Sequence, residues 1–232
     1  MIEIREGDRA AAFEVPFDVY GQNAPYISPM RSDLDRLLDP ARNPLCRDGR
    51  GRLTLFTAHR GGRPVGRIAA SLHDASNRRH GTRRAQFGFF DCGDDGAVAG
   101  ALLGAAEAWA VRQGAAELVG NFNLTAMQMA GIVTEGFENA PYTDMMWTPP
   151  HLPRLLAQAG YAPTFPMSTF EEDLAALDAG RLVGPKQRAV LDDPDFAFLP
   201  ITRRSFRDRM EEARLLLNDG FDANPMFVPV SA

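Results

Sequence analysis

Leu53-Thr-Leu-Phe-Thr-Ala-His-Arg60-Gly61-Gly62-Arg63-Pro-Val-Gly-Arg-Ile-Ala-Ala-Ser-Leu72 decides the fold. Residues 53–59 read as a strand, and 65–72 read as its return. Gly61 and Gly62 between them supply a two-residue turn, because both central positions of a tight hairpin turn favour residues tolerant of positive φ. After a polar connection over 74–83, Ala85, Phe87 and Phe89 alternate along a third strand. Three consecutive antiparallel strands result.

Outward from this hairpin, Ile2 and Ile4 alternate with charged residues as a short strand does. Asp8 offers a cap for a helix through Ala10, Phe13 and Phe17, which Pro16 is expected to kink or shorten. Ser32 with Asp35 resembles a capping box, with Leu34, Leu37 and Leu38 on one helix face before Pro40. Beyond the hairpin, Val98, Leu102, Ala105 and Trp109 share a face of a helix over about 96–113, and Gly114 is placed to end it. A buried strand over 118–122 follows, and the intervening helix lets it lie parallel to the strand before. Residues 123–150 are irregular and rich in Met, Asn and Pro, a loop long enough to cover a site. A helix over 151–159 and a last strand over 164–170 complete the domain.

The chain has 232 residues, 45% hydrophobic and 24% charged, which is globular material able to bury a core without staples. With a net charge of −5 it carries no overall field toward nucleic acid or an anionic membrane, so neither partner is expected. The basic cluster Arg78, Arg79, His80, Arg83 and Arg84 has no interleaved aromatics for base stacking, and reads as a solvated connection. Cys46 and Cys92 make no disulfide framework, and neither they nor the histidines show metal-ligand spacing. Cytoplasmic residence with reduced thiols is the simple expectation.

The expected domains are 1–173, a charged linker at 174–195, and a second copy beginning at 196–232. Residues 196–201 look strand-like, and Phe206, Met210, Ala213 and Leu217 line one face of the helix that follows. Asn224-Pro225-Met226-Phe227-Val228-Pro229 then parallels Ala24-Pro25-Tyr26-Ile27-Ser28-Pro29 at a separation of 200 positions. Two explanations stay open. The chain is a shortened version of a longer two-copy protein, or the extra piece packs on the first domain. A lone strand and helix cannot bury both faces, which favours the former.

This order of elements resembles the GCN5-related N-acetyltransferase superfamily. The likeness rests on the hairpin, the strand to Phe90, the long helix, and the helix end Leu155-Leu156-Ala157-Gln158-Ala159-Gly160-Tyr161. Gly66-Arg67-Ile68-Ala69-Ala70, Phe87-Gly88-Phe89-Phe90-Asp91-Cys92, Ala101-Leu102-Leu103 and Ala106-Glu107-Ala108-Trp109 look like an unassigned bacterial branch with a longer, two-copy chain. The resemblance implies an α/β (α+β) fold: a mixed, mostly antiparallel central sheet flanked by helices, with a splayed parallel strand pair. It implies acetyl-CoA or another acyl-CoA as co-substrate and a small-molecule amine as acceptor.

It further implies that the strand end at Phe89, Phe90 and Cys92 pairs with pantetheine, while Asn121 ends the splayed partner. The amides of Gly96, Ala97, Val98, Ala99 and Gly100 would hold pyrophosphate, since a helix start offers unpaired N–H groups and a partial positive charge. Where the superfamily carries a basic residue and small ones, this chain has Asp94, Asp95, Ala97 and Ala99. An acidic side chain about 5 Å from a phosphate costs about 3 kcal/mol at an effective dielectric near 20, and an Asp95 cap competes for the same amides. The family's tyrosine and asparagine fall at Leu156 and Pro149.

The catalytic candidates are Asp91 at the strand end and Glu135, with Glu138, in the irregular loop as bases, and Tyr161 or Tyr142 as the proton donor to a leaving thiolate. Each has a plain structural alternative: a helix-start charge, solvated loop acids, and a half-buried core or rim tyrosine. Cys92 reads as a structural thiol. Two functions stand side by side. One is an acyl-CoA-dependent N-acyltransferase; the other is a non-catalytic ligand-binding or regulatory domain on the same scaffold.

Overall fold

The computed structural model describes residues 1–125, 129–142, 145–224 and 227–230. The chain divides into two compact units, the first made of Met1–Pro163 with Phe221–Pro229, the second built on Thr164–Gly220. In chain order the first unit holds β1 (Ile2–Glu6), α1 (Arg9–Tyr20), α2 (Arg31–Leu37), β2 (Gly51–Arg60) and β3 (Arg63–His73). It continues with α3 (Asp74–His80), β4 (Arg84–Cys92), α4 (Gly96–Arg112), β5 (Glu117–Val119) and α5 (His151–Gln158). The strands form one sheet in sequence order, antiparallel throughout except for the parallel β4–β5 pair. This is the mixed α/β architecture that the resemblance implies.

The hairpin forms as its turn residues require: Gly61 and Gly62 take φ of 57° and 81°, matching the twist of the strands they join. Alternation along the strands then sorts side chains onto two faces. Ile68, Ala70, Phe87 and Phe90 pack with Val98, Leu102 and Trp109 of α4 and Leu152 of α5. Leu55, Ala69 and Phe89 pack instead with Ala12 of α1 and with Leu34 and Leu38 of the α2 region.

Several expectations are corrected. Pro16 does not shorten α1, which runs over 12 residues from its Asp8 cap. The capping box does not form, because α2 begins at Arg31 and Ser32 lies inside it. The polar connection contains α3, and β5, at Glu117–Val119, keeps only Leu118 and Val119 of the strand expected at 118–122. No strand forms over 164–170 or 196–201.

In the second unit, α6 (Pro185–Asp192) falls within the expected linker and α7 (Phe206–Gly220) covers the amphipathic run. Neither helix buries a residue. Pro225 and Met226 of the apparent repeat lie outside the described residues. Phe227 belongs to the first unit, where its ring stacks on Phe221 at 5.6 Å and its carbonyl accepts from Ser76 Oγ at 3.3 Å.

Candidate functional site

The site grows from a bulge in β4. Gly88 pairs with Ala69 and Asp91 with Arg67, so β4 spends one extra residue between them. Phe89 takes the left-handed conformation, with φ of 48°. The extra residue changes which face the side chains reach. Phe89 and Asp91 therefore face α1, while Phe90 and Cys92 face α4. Gly88 is required here, since a Cβ on it would lie 1.7 Å from the carbonyl oxygen of Phe122.

Facing α1, Arg67 and Asp91 form a buried ion pair, 2% and 7% exposed, with Nε donating to Oδ2 at 2.6 Å. Asp91 Oδ1 accepts from the Tyr20 hydroxyl at 2.5 Å, and Arg67 Nη2 donates to Tyr26 Oη at 3.3 Å. Arg67 Nη1 donates to the carbonyl of Ala12 at 2.8 Å. That carbonyl is the one that Pro16, four residues on and lacking an N–H, leaves without its helical partner. The buried guanidinium thus repairs the helix that the proline interrupts.

The electrostatics follow from this packing. Burial works against the Arg67 charge, but Asp91 and Tyr26 outweigh it and hold the guanidinium protonated. Burial, then the Asp91 charge and hydrogen bond, push the Tyr20 phenol well above its ordinary value. Burial also raises Tyr26, with Arg67 opposing. Both phenols remain protonated donors at neutral pH.

Beyond Val119 the chain keeps to β4 without extending the regular ladder. Phe122 N donates to Phe87 O at 2.7 Å, and Phe89 N donates to Asn123 Oδ1 at 2.7 Å. On its outer side Asn123 N bonds Met129 O at 2.9 Å and Gly131 N bonds Asn121 O at 2.8 Å. Trp147 Nε1 donates to Phe137 O at 3.2 Å, and Val133 N to Thr148 Oγ1 at 2.9 Å, tying down the described part of the long loop. A narrow cleft lies between these pieces, its free space on the order of one water molecule. Arg67, Asp91, Asn121 and Asn123 supply its polar lining, and Ile27, Met129, Met145, Met146 and Trp147 much of the apolar part.

Of the catalytic candidates, Asp91 lines this cleft, with both oxygens already engaged. Glu135 and Glu138 are exposed on the loop, and Tyr142 is exposed as well. Tyr161 packs on Phe87 and donates to Glu107 Oε1 at 2.8 Å, outside the cleft lining. Burial and that bond raise its pKa. Tyr26 is the phenol that lines the cleft.

Of the cofactor candidates, Phe89, Phe90 and Asn121 line the cleft, whereas Cys92 and the start of α4 do not. The Cys92 carbonyl accepts from His151 Nε2 at 2.8 Å, and its thiol is pushed up to about 12, mainly by burial and then by Asp91, Asp95 and Asp94. At the start of α4, Asp95 Oδ1 accepts from Ala97 N at 3.0 Å and Val98 N at 3.1 Å. Its other oxygen meets Arg60 at 2.7 Å, and Asp94 pairs with Arg154. Slight burial opposes, but the Val98 amide and Arg60 hold the Asp95 carboxyl below its ordinary value. The acidic loop therefore comes with two arginines, from the end of β2 and from α5, that its own sequence did not announce. No group of three or more metal-ligating side chains occurs among the described residues.

No family model matches the chain. It is 28% identical over 230 residues to Protein YghO of Escherichia coli (strain K12), covering 97% of this chain and 57% of that protein. It is 27% identical over 220 residues to a protein of Caulobacter vibrioides (strain NA1000 / CB15N) named bacterial ceramide synthase, covering 94% of this chain and 56% of that one. The chain thus spans little more than half the length of these relatives. Among solved structures it is similar to a ribosomal-protein-alanine N-acetyltransferase from Brucella melitensis biovar Abortus 2308, with a TM-score of 0.42 and 13% identity over 74% of this chain and 100% of that one. An aminoglycoside acetyltransferase from an uncultured soil metagenomic sample, in complex with sisomicin, gives a TM-score of 0.42 and 11% identity over 75% of this chain and 96% of that one. No helix among the described residues is long and apolar enough to cross a membrane.

Proposed function

We propose that this chain carries the acyl-transfer site of an N-acyltransferase, moving an acyl group from a coenzyme A thioester to a small-molecule amine. The observation that carries this reading is the cleft beside the β4 bulge, polar where Asp91, Asn121 and Asn123 line it and apolar where three methionines do. Methionine is unbranched and adaptable, so Met129, Met145 and Met146 suit an aliphatic chain that must open its own space. The name of the Caulobacter relative supports the same chemistry, because a ceramide is the N-acyl derivative of a long-chain amino alcohol.

In the proposed reaction the amine nitrogen attacks the thioester carbon, the carbon–sulfur bond breaks, and the amine proton balances the thiolate that leaves. Tyr26 is the donor we assign to that thiolate, with its neutral phenol beside the fixed positive charge of Arg67. Asp91 keeps Arg67 and Tyr20 in place and accepts no proton in this scheme, since both its oxygens already hold hydrogen bonds.

A second reading has one specific observation behind it. The Asp95 side chain occupies the Ala97 and Val98 amides that a pyrophosphate would use. This favours a domain that binds an acyl or amine ligand without turnover. Thiol release, measured with acyl-CoA donors of short and long chain against a long-chain amino alcohol and a small polyamine, separates the two. Amide product with stoichiometric thiol supports the transferase; binding by calorimetry with no thiol released supports the second reading.

A further inference from the structure

Asn121 is 2% exposed and lines the cleft, yet its side-chain amide is almost unspent. Its Oδ1 has no hydrogen-bond partner among the described residues. Its Nδ2 lies 3.7 Å from Met146 Sδ, a weak acceptor that does not replace an oxygen. A buried amide left in this state lowers stability, so a purely structural position would favour an apolar side chain of similar size.

The backbone on both sides of this amide is fixed. The Asn121 carbonyl accepts from Gly131 at 2.8 Å, and the next residue, Phe122, donates to Phe87 at 2.7 Å. The amide is therefore held in place before any ligand arrives, which is what a donor aimed at developing charge requires. Asn123, two residues on, presents a contrast: its Oδ1 is committed to Phe89 N. Which end of the Asn121 amide faces the cleft is set by what it meets there, because the group can turn over.

We infer that Asn121 binds the carbonyl oxygen of the acyl group, donating from Nδ2 while the aliphatic chain lies among Met129, Met145 and Met146. The inference rests on the N-acyltransferase reading and deepens it. As the amine attacks, the carbonyl electron pair moves onto the oxygen, and the Asn121 N–H stabilises the charge there. Collapse restores the carbonyl and expels the thiolate, which takes its proton from Tyr26, while the proton that the amine gives up restores the phenol.

Two unreactive probes test this on the intact chain. In one, an S-oxoalkyl-coenzyme A, a methylene separates sulfur from a ketone; in the other, an S-alkyl-coenzyme A of equal chain length, the oxygen is absent. The native protein is expected to bind the ketone about ten-fold more tightly or better, as a directed hydrogen bond in a dry site allows. Asn121→Leu is expected to abolish that preference, leave affinity for the S-alkyl probe within about two-fold, and melt no lower than the native protein. A preference that survives Asn121→Leu overturns the inference while the transferase reading stands. A clear drop in melting temperature overturns it too, because the amide would then be structural. If the native protein binds neither probe, this inference and the reading beneath it fall together.

Discussion

At the residue scale, the Arg67–Asp91 pair fixes the chemistry of the cleft floor. Removing one partner strands a buried charge, and such losses run to about 3–5 kcal/mol. Asp91→Ala is therefore expected to lose that much in urea denaturation, while Arg67→Met with Asp91→Leu recovers most of it. Equal losses in both would show that the pair is not the unit described. Cys92 gives a second expectation at this scale. With its thiol pushed up to about 12, it should resist iodoacetamide at neutral pH until the protein unfolds, and rapid native alkylation would contradict the burial seen. The sequence placed Asp91 at the strand end, but its partners come from 24 and 71 positions away, which no local spacing announces. Arg67 did leave one signal: it is a lone charge in the apolar run from Val65 to Leu72.

At the element scale, α1 and α4 each answer to a side chain from elsewhere. Arg67 donates to the Ala12 carbonyl that Pro16 leaves open, so the two residues should couple energetically. In a double-mutant cycle, Pro16→Ala returns an N–H to the helix, and the cost of Arg67→Met should fall by about 1 kcal/mol. Simple additivity would refute the link. For α4, Asp95→Ala removes the cap and is expected to cost about 1 kcal/mol of stability. In exchange, the freed Ala97 and Val98 amides should tighten coenzyme A binding, read by calorimetry. Weaker binding would mean that the phosphates do not use this helix start.

The same scale explains which elements were readable. The β2–β3 hairpin and α4 carry their own instructions, in Gly61-Gly62 and in the spacing from Val98 to Trp109. The expected strand over 196–201 has alternating apolar residues, yet Phe196, Phe198 and Ile201 are exposed, because alternation gives a face and not a pairing partner. Pro16 is expected from the sequence to kink or shorten α1, and the donor that satisfies the carbonyl it leaves open sits on β3, 51 positions from Pro16 in sequence. Within the cleft, Phe89, Phe90 and Asn121 were implied by the family resemblance and Asp91 by its place at the strand end, whereas Tyr26 enters only when the segment after α1 folds onto the sheet.

At the scale of the whole molecule, stability should sense one buried histidine. His73 donates from Nε2 to the carbonyl of Leu124 at 2.7 Å, and burial lowers its pKa below the ordinary 6.5. The unfolded chain binds the proton more readily. The contribution of His73 is thus complete above pH 6.5 and drains away as pH falls toward its depressed folded value. Thermal melting should fall through that acid window, and His73→Gln should flatten the fall; an unchanged profile would remove His73 as the cause.

The proposed reaction needs an acyl chain lying among the methionines beside the β4 bulge. Methyl NMR of the methionines, followed while a long-chain S-alkyl-coenzyme A is titrated in, reports on this directly. The predicted result is that the methyl signals of Met129, Met145 and Met146 shift together, while those of Met1, Met167 and Met210 stay in place. Shifts confined to the second group, or none at saturating probe, would show that no acyl chain lies there.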